Sequence, residues 1–339
     1  MSSIGSANLI GMFMLSTLPG LALGQFQIVQ TNSQGENVHL IDPATQSVVG
    51  EITGLPINHG AAAAPDGSRL YVSSEATQTL DVVDMTTRGV IARLPLTGRP
   101  NNIDISPDGR KVYVAINAQP GAINVFDTTT LEMVSNIANN GGVHNVYVTP
   151  DGRHIVAGSI GGKNMAVYDA DTEERLWSLF DEGVRPIAFE TGENGATKRL
   201  FVQLSEFHGF AVVDFEKRTE LARISLPEIP EEERDPGPFN RAPAHGIGVA
   251  PDGKTLWVCS RLNGYVYAYS LPELDYLGGV VAGEHPDWIT FTPDSKFAYA
   301  ANANSNDVSV IDIVALEEVA RVGVGSSPKR NIPIATLTE

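Results

Sequence analysis

The chain has 339 residues, a formal net charge of −17 and 42% hydrophobic residues. This is enough apolar material for one large or two ordinary domains. The acidic balance repels phosphate backbones, so nucleic acid is not an expected partner. Only 7% of residues are aromatic, whereas Gly (33) and Pro (21) are plentiful, which favours short strands and tight turns over long helices.

Taken in chain order, the first feature is "LIGMFMLSTLPGLALG" at 9–24. It is an apolar run broken by Pro19, with small residues at Ala22 and Gly24 placed for cleavage before Gln25, and it reads as a secretion signal. A run of this length is short for a membrane span, and no later segment is apolar enough to be one. A secreted chain with no membrane association after signal removal is therefore expected. The single cysteine, Cys259, rules out an intrachain disulfide and sits in "LWVCS", where a small buried hydrophobe is expected. No N-x-S/T sequon is present.

After Gln25 the chain divides into seven units, starting at Phe26, Leu70, Val112, Ile155, Leu200, Leu256 and Ala298. Each opens with a short apolar strand such as "LYVSS" or "LWVCS". An alternating strand ending in an acid follows, as in "LDVVD" and "FAVVD", then a turn and a third strand. A loop leads to a fourth strand, which in most units closes on Pro-Asp-Gly, as in "NHGAAAAPDG" at 58–67 and "AHGIGVAPDG" at 244–253. Four short strands recurring every 42 or so residues predict a β-propeller blade, and seven units predict a seven-bladed, all-β ring over residues 25–339. The first unit lacks a preceding Pro-Asp-Gly strand. "NIPIATL" (331–337) takes that place, so the C-terminal strand is expected to close the ring on the blade begun by Phe26.

The frame "LYVSSEATQTLDVVDMTTRGVIARLPLTGRPNNIDISPDGRK" resembles the YVTN-type propeller repeat, over nearly the whole chain after the signal. Related repeats occur in surface-layer proteins, lactonase-type propellers and haem d1 domains. The resemblance implies the fold, and it implies lactone chemistry by analogy alone. Haem d1 domains have eight blades, and the absence of C-x-x-C-H here rules out c-type haem attachment.

The repeat register also places the histidines. With strands lettered a to d from the axis outward, the Pro-Asp-Gly strand is a. His59, His144 and His245 each lie six residues before its proline, beside the axis. The same register carries Asn101, Asp287 and Lys329, with Arg185 or Pro186 in an irregular unit. Trp288 and Arg330 adjoin it, and His285 and His208 lie in loops at the same end. Two readings stay open. The residues four and two before the proline are apolar and pack between blades, and position six shares their parity, so each histidine could turn sideways and fix a loop. Alternatively the imidazoles line an axial funnel as catalytic groups. A long, charged and proline-rich loop at 227–243 leaves from the same end.

No motif requires a cofactor. Three imidazoles, with Asp287 as a fourth ligand, could hold a divalent metal if the funnel is narrow at their level. There is no G-x-S-x-G elbow and no P-loop. The expected function is an enzyme acting on a small organic ligand in the funnel. His59, His144 and His245 would be its acid/base groups, and Asn101, Arg185, His208, His285, Asp287, Trp288, Lys329 and Arg330 would contact the substrate. Lactonase-, isomerase- and cyclase-like reactions are all compatible, including ring formation of the hetero-Diels–Alder kind. The competing expectation is a non-catalytic secreted propeller that binds a protein or glycan through its loop face. A monomer is expected in either case.

Overall fold

The computed structural model describes residues 26–228, 230 and 242–337. The secretion signal expected at 1–24 and most of the long loop at 227–243 lie outside the described residues. The rest forms seven four-stranded antiparallel sheets. Each is one blade, and the blades are numbered here by the unit supplying strands b to d. Blade 2 shows the pattern: strands Asn58–Ala63, Arg69–Ser74, Thr79–Asp84 and Gly89–Pro95 run from axis to rim.

The ring closes as the sequence predicts. Pro328–Ala335 is the innermost strand of blade 1 and pairs antiparallel with Phe26–Asn32, from Phe26 opposite Ala335 to Asn32 opposite Pro328. Blade 1 is thus one strand from the C-terminus joined to three from the N-terminus, which leaves no inner edge unpaired there.

Alternation along each strand builds the core. In blade 2, Leu70 and Val72 face blade 1, where they meet Val29, Leu40 and Ile334. Tyr71 points the other way and packs with Ile103, Val112 and Val114 of blade 3. This period of two repeats around the ring, giving one apolar cluster for each of the seven interfaces between neighbouring blades. The turns follow their residue types. Gly67, Gly109, Gly152 and Gly253 of the Pro-Asp-Gly turns have φ of 73°, 73°, 75° and 71°. The acid ending strand c accepts hydrogen bonds from the turn beyond it, as Asp84 does from the Thr87 amide at 2.8 Å.

One feature was not visible in the sequence. In every blade the pairing of strand a with strand b carries an irregularity at the start of strand a. In blade 2, Asn58 pairs with Ser74 and Ala61 with Val72, so two residues, His59 and Gly60, face the single Ser73. The extra residue is a β-bulge. It breaks the parity that would otherwise turn position six between the blades.

Ile334, only 2% exposed, is the closing strand's residue in the blade 1–blade 2 cluster. Ile334→Asp puts a carboxylate among aliphatic side chains and is expected to lower unfolding stability by about 3 kcal/mol or more. Urea unfolding checks this, with the exposed Val314→Asp, expected within about 0.5 kcal/mol of the parent, as control.

Candidate functional site

Blades 2, 4 and 6 supply His59, His144 and His245 to the axial mouth, and blades 5, 7 and 1 supply Arg185, Asp287 and Lys329 at the same register. The bulge turns these side chains toward one another across the ring. The His144 and His245 rings meet edge to face, with centroids 6.0 Å apart, although they stand two blades apart. Neighbouring inner strands approach closely to allow this. A Cβ on Gly60 would lie 2.8 Å from the Asn101 carbonyl oxygen, and one on Gly246 would lie 2.9 Å from the Trp288 Cα. Ser73 Oγ latches the first of these approaches, accepting from the Gly60 amide at 2.9 Å and donating to the Asn101 carbonyl at 2.6 Å.

All three histidines are held through Nδ1. His59 Nδ1–H donates to Glu75 Oε1 at 2.6 Å, His245 Nδ1–H to the Asp287 carbonyl at 2.7 Å, and His144 Nδ1–H to Asn145 Oδ1. In each neutral ring Nε2 is then the basic nitrogen. Their surroundings differ. His144 and His245 are buried, and burial, reinforced by the Arg185 and Arg261 charges, pushes both below the usual imidazole range, His144 to about 3. Both are neutral at pH 7. His59 keeps 25% of its side chain exposed and is the one of the three whose Nδ1 is held by a carboxylate. Burial works against the Glu75 charge, but hydrogen bonds and charge from His59 and Arg99 outweigh it and hold Glu75 down at about 2. Arg99 Nε donates to Glu75 Oε2 at 2.8 Å.

Asp287 organises the side formed by blades 6, 7 and 1. Its side chain is 1% exposed; Arg261 donates to Oδ1, and Lys329 Nζ lies 2.5 Å from Oδ2. His285, also buried, has Nε2 4.0 Å from Oδ1, and burial brings it to about 3. Lys329 is lowered to about 7 by burial and by the nearby Arg261 and Arg185 charges, with Glu75 partly opposing. Arg185, lowered to about 10 by burial, donates from Nε to Ser205 Oγ at 3.1 Å. Three cationic side chains, Arg185, Arg261 and Lys329, thus share one side of the mouth with the single carboxylate of Asp287, in a chain whose net charge is −17.

Most residues expected from the sequence converge. Asn101 stands buried at the shared register. Trp288 has its ring 5.9 Å from that of His245 and carries the Arg330 guanidinium 4.3 Å from its centroid. His208 is at the same end but one strand further out, with Nε2 2.8 Å from Oγ of Ser260, which pairs with Ala244. Among the described residues no group of three His, Cys, Asp or Glu side chains is placed to hold a metal ion. His59, His144 and His245 are each turned onto a separate Nδ1 acceptor instead. Glu75 and Arg261 were missed. Each lies five residues after the opening apolar residue of its unit, Leu70 and Leu256, where strand b leaves the sheet beside the mouth. Asn117 and Ser205 share that register, so the same reading that found the histidines contains this second set.

The fold and the mouth define a class: a seven-bladed propeller with a polar, largely cationic axial site. The chain belongs to the family described as Lactonase, 7-bladed beta-propeller, which it matches over residues 65–319. No curated protein matches it in sequence. Among solved structures it is similar to the periplasmic gluconolactonase PpgL of Pseudomonas aeruginosa, at 20% identity and TM-score 0.74, covering 92% of this chain and 99% of that one. It is also similar to the hydrazine synthase of Kuenenia stuttgartiensis, at 23% identity and TM-score 0.72, covering 89% and 99%. The dihydro-heme d1 dehydrogenase NirN matches at 18% identity and TM-score 0.64, covering 91% of this chain and 66% of that one. At these identities the likenesses show a common fold.

The lowered Glu75 carboxyl makes an acid-sensitivity prediction. Its folded value of about 2 lies below the ordinary 4.5, so its contribution to stability is present above pH 4.5 and is lost as pH falls toward 2. Glu75→Gln is expected to cost roughly 2 kcal/mol at pH 7 and to flatten the decline in melting temperature through that window. Parallel declines in parent and variant would show that the pairing is not coupled to folding.

Proposed function

We propose that the protein is a lactone hydrolase acting on small hydroxylated lactones in the axial mouth, with His59 as its acid/base group. The observation that carries this reading is the His59–Glu75 pair sharing one axial mouth with the cations Arg185, Arg261 and Lys329. A carboxylate on Nδ1 fixes the tautomer and supports the imidazolium that forms when Nε2 takes a proton. The cations at the same mouth would balance a carbonyl oxygen that gains charge.

In this reading His59 Nε2 takes a proton from water as the water oxygen attacks the lactone carbonyl carbon. The carbonyl electron pair moves to oxygen, where Lys329 and Arg185 balance it. Collapse of the adduct breaks the ring C–O bond, and His59 returns the proton to the departing alkoxide. The hydroxy acid then ionises among the same cations. Asn101 and the neutral His144 and His245 take the substrate's hydroxyl groups, the imidazoles accepting at Nε2. The acid/base role expected of three histidines thus falls to one, because a ring held near 3 is too weak a base at neutral pH. The reaction draws on side chains alone and runs toward ring closure in reverse. Export is part of the proposal, supported by the apolar run at 9–24, and the secreted protein is expected to begin at Gln25 on N-terminal sequencing.

A pH-stat assay over γ- and δ-lactones tests the reaction. His59→Ala is expected to lose about 100-fold or more in kcat, and Glu75→Gln about 10-fold or more. Because Lys329 must be protonated to balance an oxyanion, the rate is expected to fall as pH rises through about 7, and Lys329→Arg is expected to move that fall to higher pH. Turnover unaffected by His59→Ala would remove the proposed mechanism. A parent chain without turnover or binding of any lactone would favour loop-face binding of a protein or glycan instead.

A further inference from the structure

Lys329 and Arg330 are adjacent on the closing strand but serve different levels of the axis. Lys329 joins the mouth, whereas Arg330, at the bulge, reaches across the ring. Its guanidinium stacks on Trp288 of blade 7, 4.3 Å from the ring centroid. Its charge acts on the Asp104 carboxyl of blade 3 and on the Tyr147 hydroxyl of blade 4. Four innermost strands therefore converge on one side chain.

The crossing is firmly held. Asp104 Oδ1 accepts from the Ile105 amide at 2.9 Å and Oδ2 from the Val148 amide at 2.8 Å, which ties blade 3 to blade 4. Tyr147 Oη accepts from the Ile187 amide of blade 5 at 3.3 Å. Asp104 and Tyr147 each stand three residues before the turn proline of their blade. At the same register in blades 6, 7 and 1, Gly248, Thr290 and Ile332 are small or apolar and partly exposed although they lie on innermost strands. Ala62 and Ala188 share their register and are small.

We infer that Arg330 is the floor of the axial site and the residue that limits substrate length, sealing the mouth from a partly apolar channel beneath it. The ligands it selects are short-chain hydroxy acids and their lactones; an alkyl tail of several carbons would have to pass through the Arg330–Trp288 stack. The choice of ligand class rests on the proposed lactone chemistry, whereas the floor itself does not.

Two measurements keep these apart. Xenon-pressurised crystals report the floor without any ligand chemistry: Arg330→Ala is expected to show a xenon site on the Trp288 ring where the guanidinium lay, continuous with the mouth, and the parent none there. Calorimetric titration with straight-chain 4-hydroxyalkanoates from four to ten carbons reports selectivity. The parent is expected to bind the short acids best. Arg330→Ala is expected to gain affinity for the longer ones by about fourfold per added methylene. Should the alanine variant fail to fold, Arg330→Lys, which keeps a charge against Asp104 but lacks the planar stack, carries the same comparison with a smaller gain. An identical chain-length ranking in parent and variant, or xenon at the same site in both, would overturn the inference. Xenon confined to the variant, with no acid bound by either protein, would uphold the floor and place the failure in the lactone reading.

Discussion

The pairing of Pro328–Ala335 with Phe26–Asn32 is the interaction on which everything else here depends. It is usually considered for what it does to a ring: it removes an open edge and joins two chain ends that no local contact would bring together. Here it also delivers chemistry. Lys329 and Arg330 ride on the closing strand, so the cation beside Asp287 and the arginine crossing the axis reach their positions only when the ring is shut. Closing also completes the interface in which Ile334 packs against Val29, Leu55 and Ala61. Stability and site assembly are thus one event in this fold.

The second constraint is the bulge repeated at the head of every inner strand. Propeller strands pack apolar residues on both faces, as the Leu70–Tyr71–Val72 triplet does, and strict alternation would bury position six between blades. One extra residue releases it toward the axis. The cost is a close backbone approach, tolerated where the next residue is Gly60 or Gly246. Elsewhere amides answer the crowding, as where Asn102 Nδ2 donates to the Val146 carbonyl at 3.3 Å. The bulge is what converts a sequence register into a ring of side chains that see one another.

The fold was legible because its signals are periodic. Acids capping a turn after strand c, glycines at positive φ and two-sided apolar strands recur in unit after unit, and each repetition supports the others. The site was legible only where it shares that period. Residues at the histidine register were found together, but their orientation was not, since a bulge leaves no mark in hydrophobic alternation. Glu75 and Arg261 were passed over because their register holds Asn117, Ile160, Ser205 and Ala303 in other units, and chemistry that varies from blade to blade does not read as a repeat. Asp104 and Tyr147 were hidden for a related reason. They occupy a register that is small or apolar elsewhere, and their partner Arg330 lies more than 180 residues away in the chain.

Equal register does not confer equal chemistry. His59, His144 and His245 use the same nitrogen in the same way, yet a carboxylate, an amide oxygen and a backbone carbonyl receive it. The amide and the carbonyl orient a ring without adding charge, and with burial and two arginines nearby the ring stays neutral. The carboxylate on His59 is different in kind, because it carries a charge of its own and is held ionised by its contacts with His59 and Arg99. What separates one imidazole from its symmetric counterparts is therefore the residue leaving strand b of its own blade. A propeller can keep seven similar inner strands for the fold and still differentiate a site, by varying that one position: Glu75 in blade 2, Ile160 in blade 4, Arg261 in blade 6. Glu75 and Arg261, at one register of two blades, thus bring charges of opposite sign to the same mouth.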